Sequence, residues 1–164
     1  MKIEIMLLSQ IVLIGVGATI VMDLWALMLK RIWHIPSLNW AMVGRWIGHF
    51  ASGKFRHANI AKSSVIGAEL VLGWVAHYMI GIIFSALLVL ILGQLWLDQP
   101  SLLIAVGFGL VTVVFPFLIM QPALGAGFFA SRTPHPNRAR ILSLVAHSVF
   151  GVGLYATAIV LANS

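Results

Sequence analysis

Residues 75–84 read VAHYMIGIIF. A single ionisable side chain, His77, stands in an otherwise apolar run, with Gly81 four residues on. The apolar run does not stop there. It extends over about residues 65–92, longer than the roughly 20 residues a helix needs to cross a bilayer. A helix that is apolar on every side has to be buried or surrounded by lipid.

Composition decides between those two. Of 164 residues, 61% are hydrophobic and 9% charged, and the mean hydropathy is +1.04. A soluble domain carries about 25% charged residues. This chain cannot cover a globular surface with polar groups, so lipid is part of its solvent. Further apolar segments lie at about 5–29, 102–129 and 141–162. The expected fold is an all-α membrane protein, one four-helix transmembrane domain over residues 1–164.

The basic residues set the expected orientation. The stretch 30–64 holds Lys30, Arg31, Arg45, Lys54, Arg56 and Lys62, and the stretch 131–140 holds Arg132, Arg138 and Arg140. Only Lys2 lies elsewhere, and the 93–100 link has no basic residue. Basic loops stay on the cytoplasmic side, so both loops are expected inside and both termini outside. The isoelectric point near 10.6 is then a topology signal and not a nucleic-acid one. The first segment is too long for a signal-peptide core, and no small-residue cleavage site precedes Asp23, so an uncleaved helix is expected.

Residues 36–50, PSLNWAMVGRWIGHF, place Trp40, Val43, Trp46, Ile47 and Phe50 at helical spacing. An amphipathic helix over about 37–50 is expected at the cytoplasmic headgroup level, anchored by tryptophans. Ser37 is its expected cap, with Asn39, Arg45 and His49 on the opposite side.

Ionisable residues at membrane depth cost about 2.5–3.5 kcal/mol each when charged. Asp23, Glu69, His77 and His147 are the candidates, with Gln121 as a neutral companion. All fall in the half of the membrane nearer the basic loops or at its centre. Asp23, for example, is about 10 Å from Lys30 at 1.5 Å per residue. These five outline a cytoplasm-facing polar pocket. Arg45, Arg56 and Arg132 are candidate contacts for an anionic group or lipid headgroup. Rows at i+4 run beside the pocket: Glu69, Gly73, His77, Gly81, and Ser143, His147, Gly151, Tyr155. Glycines in such rows let helices approach closely.

The frame of the opening stretch recurs. Residues 145–155 read VAHSVFGVGLY, so Val-Ala-His and the glycine match 70 residues apart. A duplication of a helix pair would produce this, and so would chance in apolar helices. Two histidines at matched depth could ligate a b-type haem. With Asp23 and Glu69 they would make a set for zinc, iron or manganese. A neutral imidazole bonded to a neighbour, or a member of a proton relay, are the other readings. The Glu-x-x-His signature of di-metal bundles is absent. There is no cysteine, so thiolate and iron–sulfur chemistry are excluded.

The third segment is irregular. In FPFLIMQPALGAGFF, residues 115–129, Pro116 and Pro122 should kink the helix and free a carbonyl, which Gln121 could reach.

Taken together, GVGATIVMDLWALMLKR, PSLNWAMVGRWIGHF, GKFRH, GWVAHYMIG, PFLIMQPALGAGFFASRTPHP and SLVAHSVFGVGLY resemble a family of small bacterial inner-membrane proteins, domain of unknown function 2938. The resemblance spans nearly the whole chain. It implies four helices in a bacterial cytoplasmic membrane and no activity.

No enzyme motif is present. Four functions remain open. One is a membrane protein whose polar pocket binds a metal, haem, or a small anionic or lipid ligand. The second is a proton-coupled carrier working as a homodimer. The third is an enzyme acting on a lipid headgroup. The fourth is an accessory subunit whose polar residues lock helices together.

Overall fold

The computed structural model describes the backbone of residues 2–163 and the side chains of residues 4–163. The side chain of Lys2 therefore lies outside the described residues. Seven α-helices are present, with no strand among the described residues: α1 (Lys2–Trp33), α2 (Trp40–Gly48), α3 (Glu69–Leu92), α4 (Gln94–Asp98), α5 (Leu102–Thr112), α6 (Gln121–Leu124) and α7 (Pro136–Ala162). Four stretches are long and apolar enough to cross a membrane: Glu4–Trp33, Glu69–Leu92, Leu102–Leu124 and Pro136–Ala162. The protein is a membrane protein.

Helix ends follow local chemistry. Glu4 sits in the first turn of α1 and Lys30 and Arg31 in its last, each sign matched to the helix dipole. Gly93, at φ 72°, ends α3 with its N–H on the carbonyl of Val89. Pro136 opens α7, a position where its missing N–H costs nothing. This helix starts before the apolar segment at 141, because hydropathy marks only the part suited to lipid.

The third span is interrupted, as its prolines require. Residues Pro116–Met120 form a π turn, and the N–H of Gln121 reaches back five residues to the carbonyl of Pro116. Short α6 then ends at Gly125, φ 95°.

The chain divides into two compact units. One comprises residues 1–37, 78–112 and 145–164; the other comprises 38–77 and 113–144. The first has a dry core of Ile14, Ala18, Phe84, Leu88, Leu154 and Ala158, joined by Trp96 and Leu97 from α4. Glycines set its helix crossings. A Cβ on Gly15 would lie 2.6 Å from the Cα of Ile82, and one on Gly109 would lie 2.9 Å from the Cα of Gly151. Lipid supplies no hydrophobic drive between helices, so such close backbone packing carries the association.

In the second unit, α2 docks on the start of α3. Gly44 lies against the carbonyl of Glu69, and Gly73 against the carbonyl of Trp40; neither position has room for a Cβ. Two expectations for this region are corrected. Asn39, not Ser37, caps α2, accepting the N–H of Ala41 at 3.1 Å. Arg45 does not lie on a solvated polar side: it is only 6% exposed.

Candidate functional site

Arg45 is buried because its charge and its donors are met. Its Nε donates to Oε2 of Glu69 and its Nη2 to Oε1, both at 2.8 Å. Nη1 points at the carbonyls of Ile60, Ala61 and Ser63, at 3.4, 3.3 and 3.2 Å. This is the bidentate fork that suits arginine to carboxylates. The hydrogen bond to Glu69 outweighs burial and holds the guanidinium above the ordinary arginine value. Glu69 also accepts the N–H of Ile66 at 3.2 Å. The pair ties α2, the 60–63 turn and α3 together. Arg45, expected as an anion contact, is thus engaged within the protein, and Glu69 is its partner.

His77 belongs to an aromatic cluster in the same unit. It stacks on Trp40 with ring centroids 3.8 Å apart and planes 25° apart, and meets the edge of Trp74 at 5.8 Å. It is 7% exposed. His49 and His57 lie 4.9 Å apart. His49 Nε2 contacts the carbonyl of Ser64 at 3.1 Å. A carbonyl only accepts, so this nitrogen carries the proton. His57 is 5% exposed, and neither ring nitrogen has a hydrogen-bond partner among the described residues. Burial, then the charges of Lys54 and His49, push its pKa below the ordinary histidine range, against a smaller upward pull from Ala123. The Oε1 of Gln121 is likewise buried without a partner among the described residues.

In the other unit, Tyr78 donates its hydroxyl to Oδ2 of Asp23 at 3.0 Å. Thr112 Oγ1 lies 2.6 Å from the carbonyl of Gly109 and 2.7 Å from Nδ1 of His147. Thr112 has one hydroxyl proton, which goes to the carbonyl, since a carbonyl has none to give. Nδ1 of His147 must then donate.

Asp23 thus meets Tyr78, Glu69 meets Arg45, His77 meets Trp40 and Trp74, and His147 meets Thr112. No group of three or more His, Asp or Glu side chains that could hold a metal ion occurs among the described residues. The four-ligand set of Asp23, Glu69, His77 and His147 is not assembled there. Sequence reasoning missed Tyr78 and Thr112. Both could have been found: each is a hydroxyl in a strongly apolar helix, one adjacent to His77 and the other three residues after Gly109.

Residues 12–161 match the model of a family described as protein of unknown function (DUF2938). The chain belongs to this family. No curated protein and no solved structure matches it.

Proposed function

We propose that the protein is a non-enzymatic binding protein of the bacterial cytoplasmic membrane. Asp23 and His147, both in the first unit, would belong to a polar site within the membrane, open to the cytoplasm. Both basic loops would lie on that side. The supporting observation is the Tyr78–Asp23 hydrogen bond. A phenol fixes the orientation of a carboxylate at a depth where ionisable groups are otherwise avoided. A carboxylate accepts, which favours a ligand that donates: a proton, a hydroxyl or a protonated amine. Haem and a multiply coordinated metal have no such support, and Glu69 is engaged by Arg45.

The test is mass spectrometry, elemental analysis and an absorption spectrum of purified protein, beside Asp23→Asn. A small molecule or ion held stoichiometrically by the wild type and lost in the variant, at unchanged helicity, supports the reading. An empty wild type overturns it.

A second reading has its own observation. The Arg45–Glu69 pair is a polar contact that joins α2 to the start of α3. If Asp23→Asn and His147→Gln lose stability but no ligand, the polar residues act as helix locks in an accessory subunit.

A further inference from the structure

The second unit, residues 38–77 and 113–144, contains an apolar groove of about 380 Å³. Its size lies in the range of ligand pockets, about 300–1,000 Å³. One wall is aromatic: Trp46, Phe50 and Phe55. Phe50 lies 5.1 Å from both of its neighbours' rings. Trp46 has spent its indole N–H on the carbonyl of Phe55 at 2.8 Å, so it offers the groove only apolar surface. The facing wall, Leu118, Ile119, Pro122 and Ala123, comes from the interrupted third span. The walls are tied: the N–H of His57 donates to the carbonyl of Ala123 at 2.8 Å, and Gly125 abuts the carbonyl of Ala58. The groove is therefore built into the resting fold.

The one charged residue on its lining is Arg56, which is exposed. The charge balance around it is lopsided. This unit contains Arg45, Lys54, Arg56, Lys62, Arg132, Arg138 and Arg140 against a single carboxylate, Glu69. Glu69 is committed to Arg45, and Arg140 is held by the carbonyl of Phe129 and by Asn137. Arg56 has no acidic partner among the described residues. An occupant must therefore be apolar along its length and negative at one end.

We infer that the groove binds one acyl chain of an anionic phospholipid, with its phosphate on Arg56. The aromatic and aliphatic walls fit a hydrocarbon chain and offer it no hydrogen bond. The guanidinium provides planar, two-pronged donors for phosphate oxygens. The surrounding basic residues raise the local concentration of anionic headgroups, each contributing about 1 kcal/mol near a negative surface. Such a lipid is always at hand for a chain with four candidate spans. The groove shares no lining residue with the proposed polar site, so either can fail alone.

The experiment uses the full chain in detergent micelles containing equal amounts of phosphatidylglycerol and phosphatidylcholine, read by native mass spectrometry. The wild type is expected to retain one phospholipid per chain, with phosphatidylglycerol in excess. Arg56→Gln should cut that excess about fivefold, corresponding to the loss of about 1 kcal/mol, while some lipid of either kind stays bound. Ile119→Trp, which fills the groove, should lose both lipids. High salt should erase the headgroup preference of the unmodified protein, which guards against a variant that does not fold. No retained lipid, equal retention of the two lipids by the wild type, or a preference unchanged by Arg56→Gln would overturn the assignment. So would a two-chain species in which the groove residues are shielded by a second copy.

Discussion

The two Val-Ala-His-x-x-x-Gly frames share four letters and differ in what one of those letters does. Gly81 packs on α1, against Thr19 and the carbonyl of Gly15. Gly151 packs on α5, against Ala105 and Val106. In each case the glycine meets the span that precedes its own helix. The histidines differ. His77 stacks on a tryptophan, whereas His147 bonds through Nδ1 to a threonine hydroxyl. A glycine at a crossing is dictated by the distance between backbones, which allows almost no choice. A histidine beside it is dictated by whichever partner is near, and can specialise.

That comparison can be broken most directly at the glycines. A Cβ on Gly151 would meet backbone, the Ala105 oxygen at 2.5 Å and the Val106 Cα at 2.6 Å. A Cβ on Gly81 would meet first the side chain of Thr19, with backbone at 3.1 Å. Overpacking costs about 1–3 kcal/mol. Gly151→Ala should reach or pass the top of that range, and Gly81→Ala should cost less. Unfolding in detergent mixed with increasing dodecyl sulfate gives both numbers. If Gly81→Ala costs as much, the two crossings are equivalent and the contrast in clash geometry does not matter.

Next come the histidine partners. Thr112→Val leaves Nδ1–H of His147 without its acceptor. Hydrogen bonds between helices in membranes are worth about 0.6–1.7 kcal/mol, so a loss near the upper end is expected, with Thr112→Ser close to wild type. Equal losses in the two variants would assign the effect to packing. Trp40→Leu removes the stack on His77, worth about 0.5–1.5 kcal/mol beyond the area buried. That stacking part of the loss should disappear in a His77→Leu background, as measured by a double-mutant cycle.

The smallest effect concerns His57, which lies outside both frames and serves as a control. Its folded-state pKa is depressed, so below the ordinary histidine range the unfolded chain binds more protons than the folded one. Stability should then fall as pH drops through that range and be fully present above it. His57→Phe should flatten the slope. A slope that survives the substitution belongs to another group.

The number and approximate place of the four spans were legible from hydropathy alone, because lipid imposes a minimum apolar length. So was the broken third span, since a proline always removes a donor. The glycine seams were legible from i+4 spacing. The position of Arg45 was not. Helical spacing put it with Asn39 and His49 on a polar side, yet Glu69, 24 residues later, draws it inward. Such pairing depends on where the chain returns, which no local pattern encodes. The same holds for Tyr78–Asp23, separated by 55 residues, and Thr112–His147, separated by 35.

The distance along the chain between Arg45 and Glu69 also has a consequence in time. A ribosome adds about 5–20 residues per second, so Arg45 emerges about 1–5 s before its partner. During that interval it is an unneutralised cation and adds to the basic count that orients a nascent loop. Once Glu69 arrives, the same charge is withdrawn into an ion pair. Exchanging Arg45 and Glu69 would keep the finished pair but present the acid first.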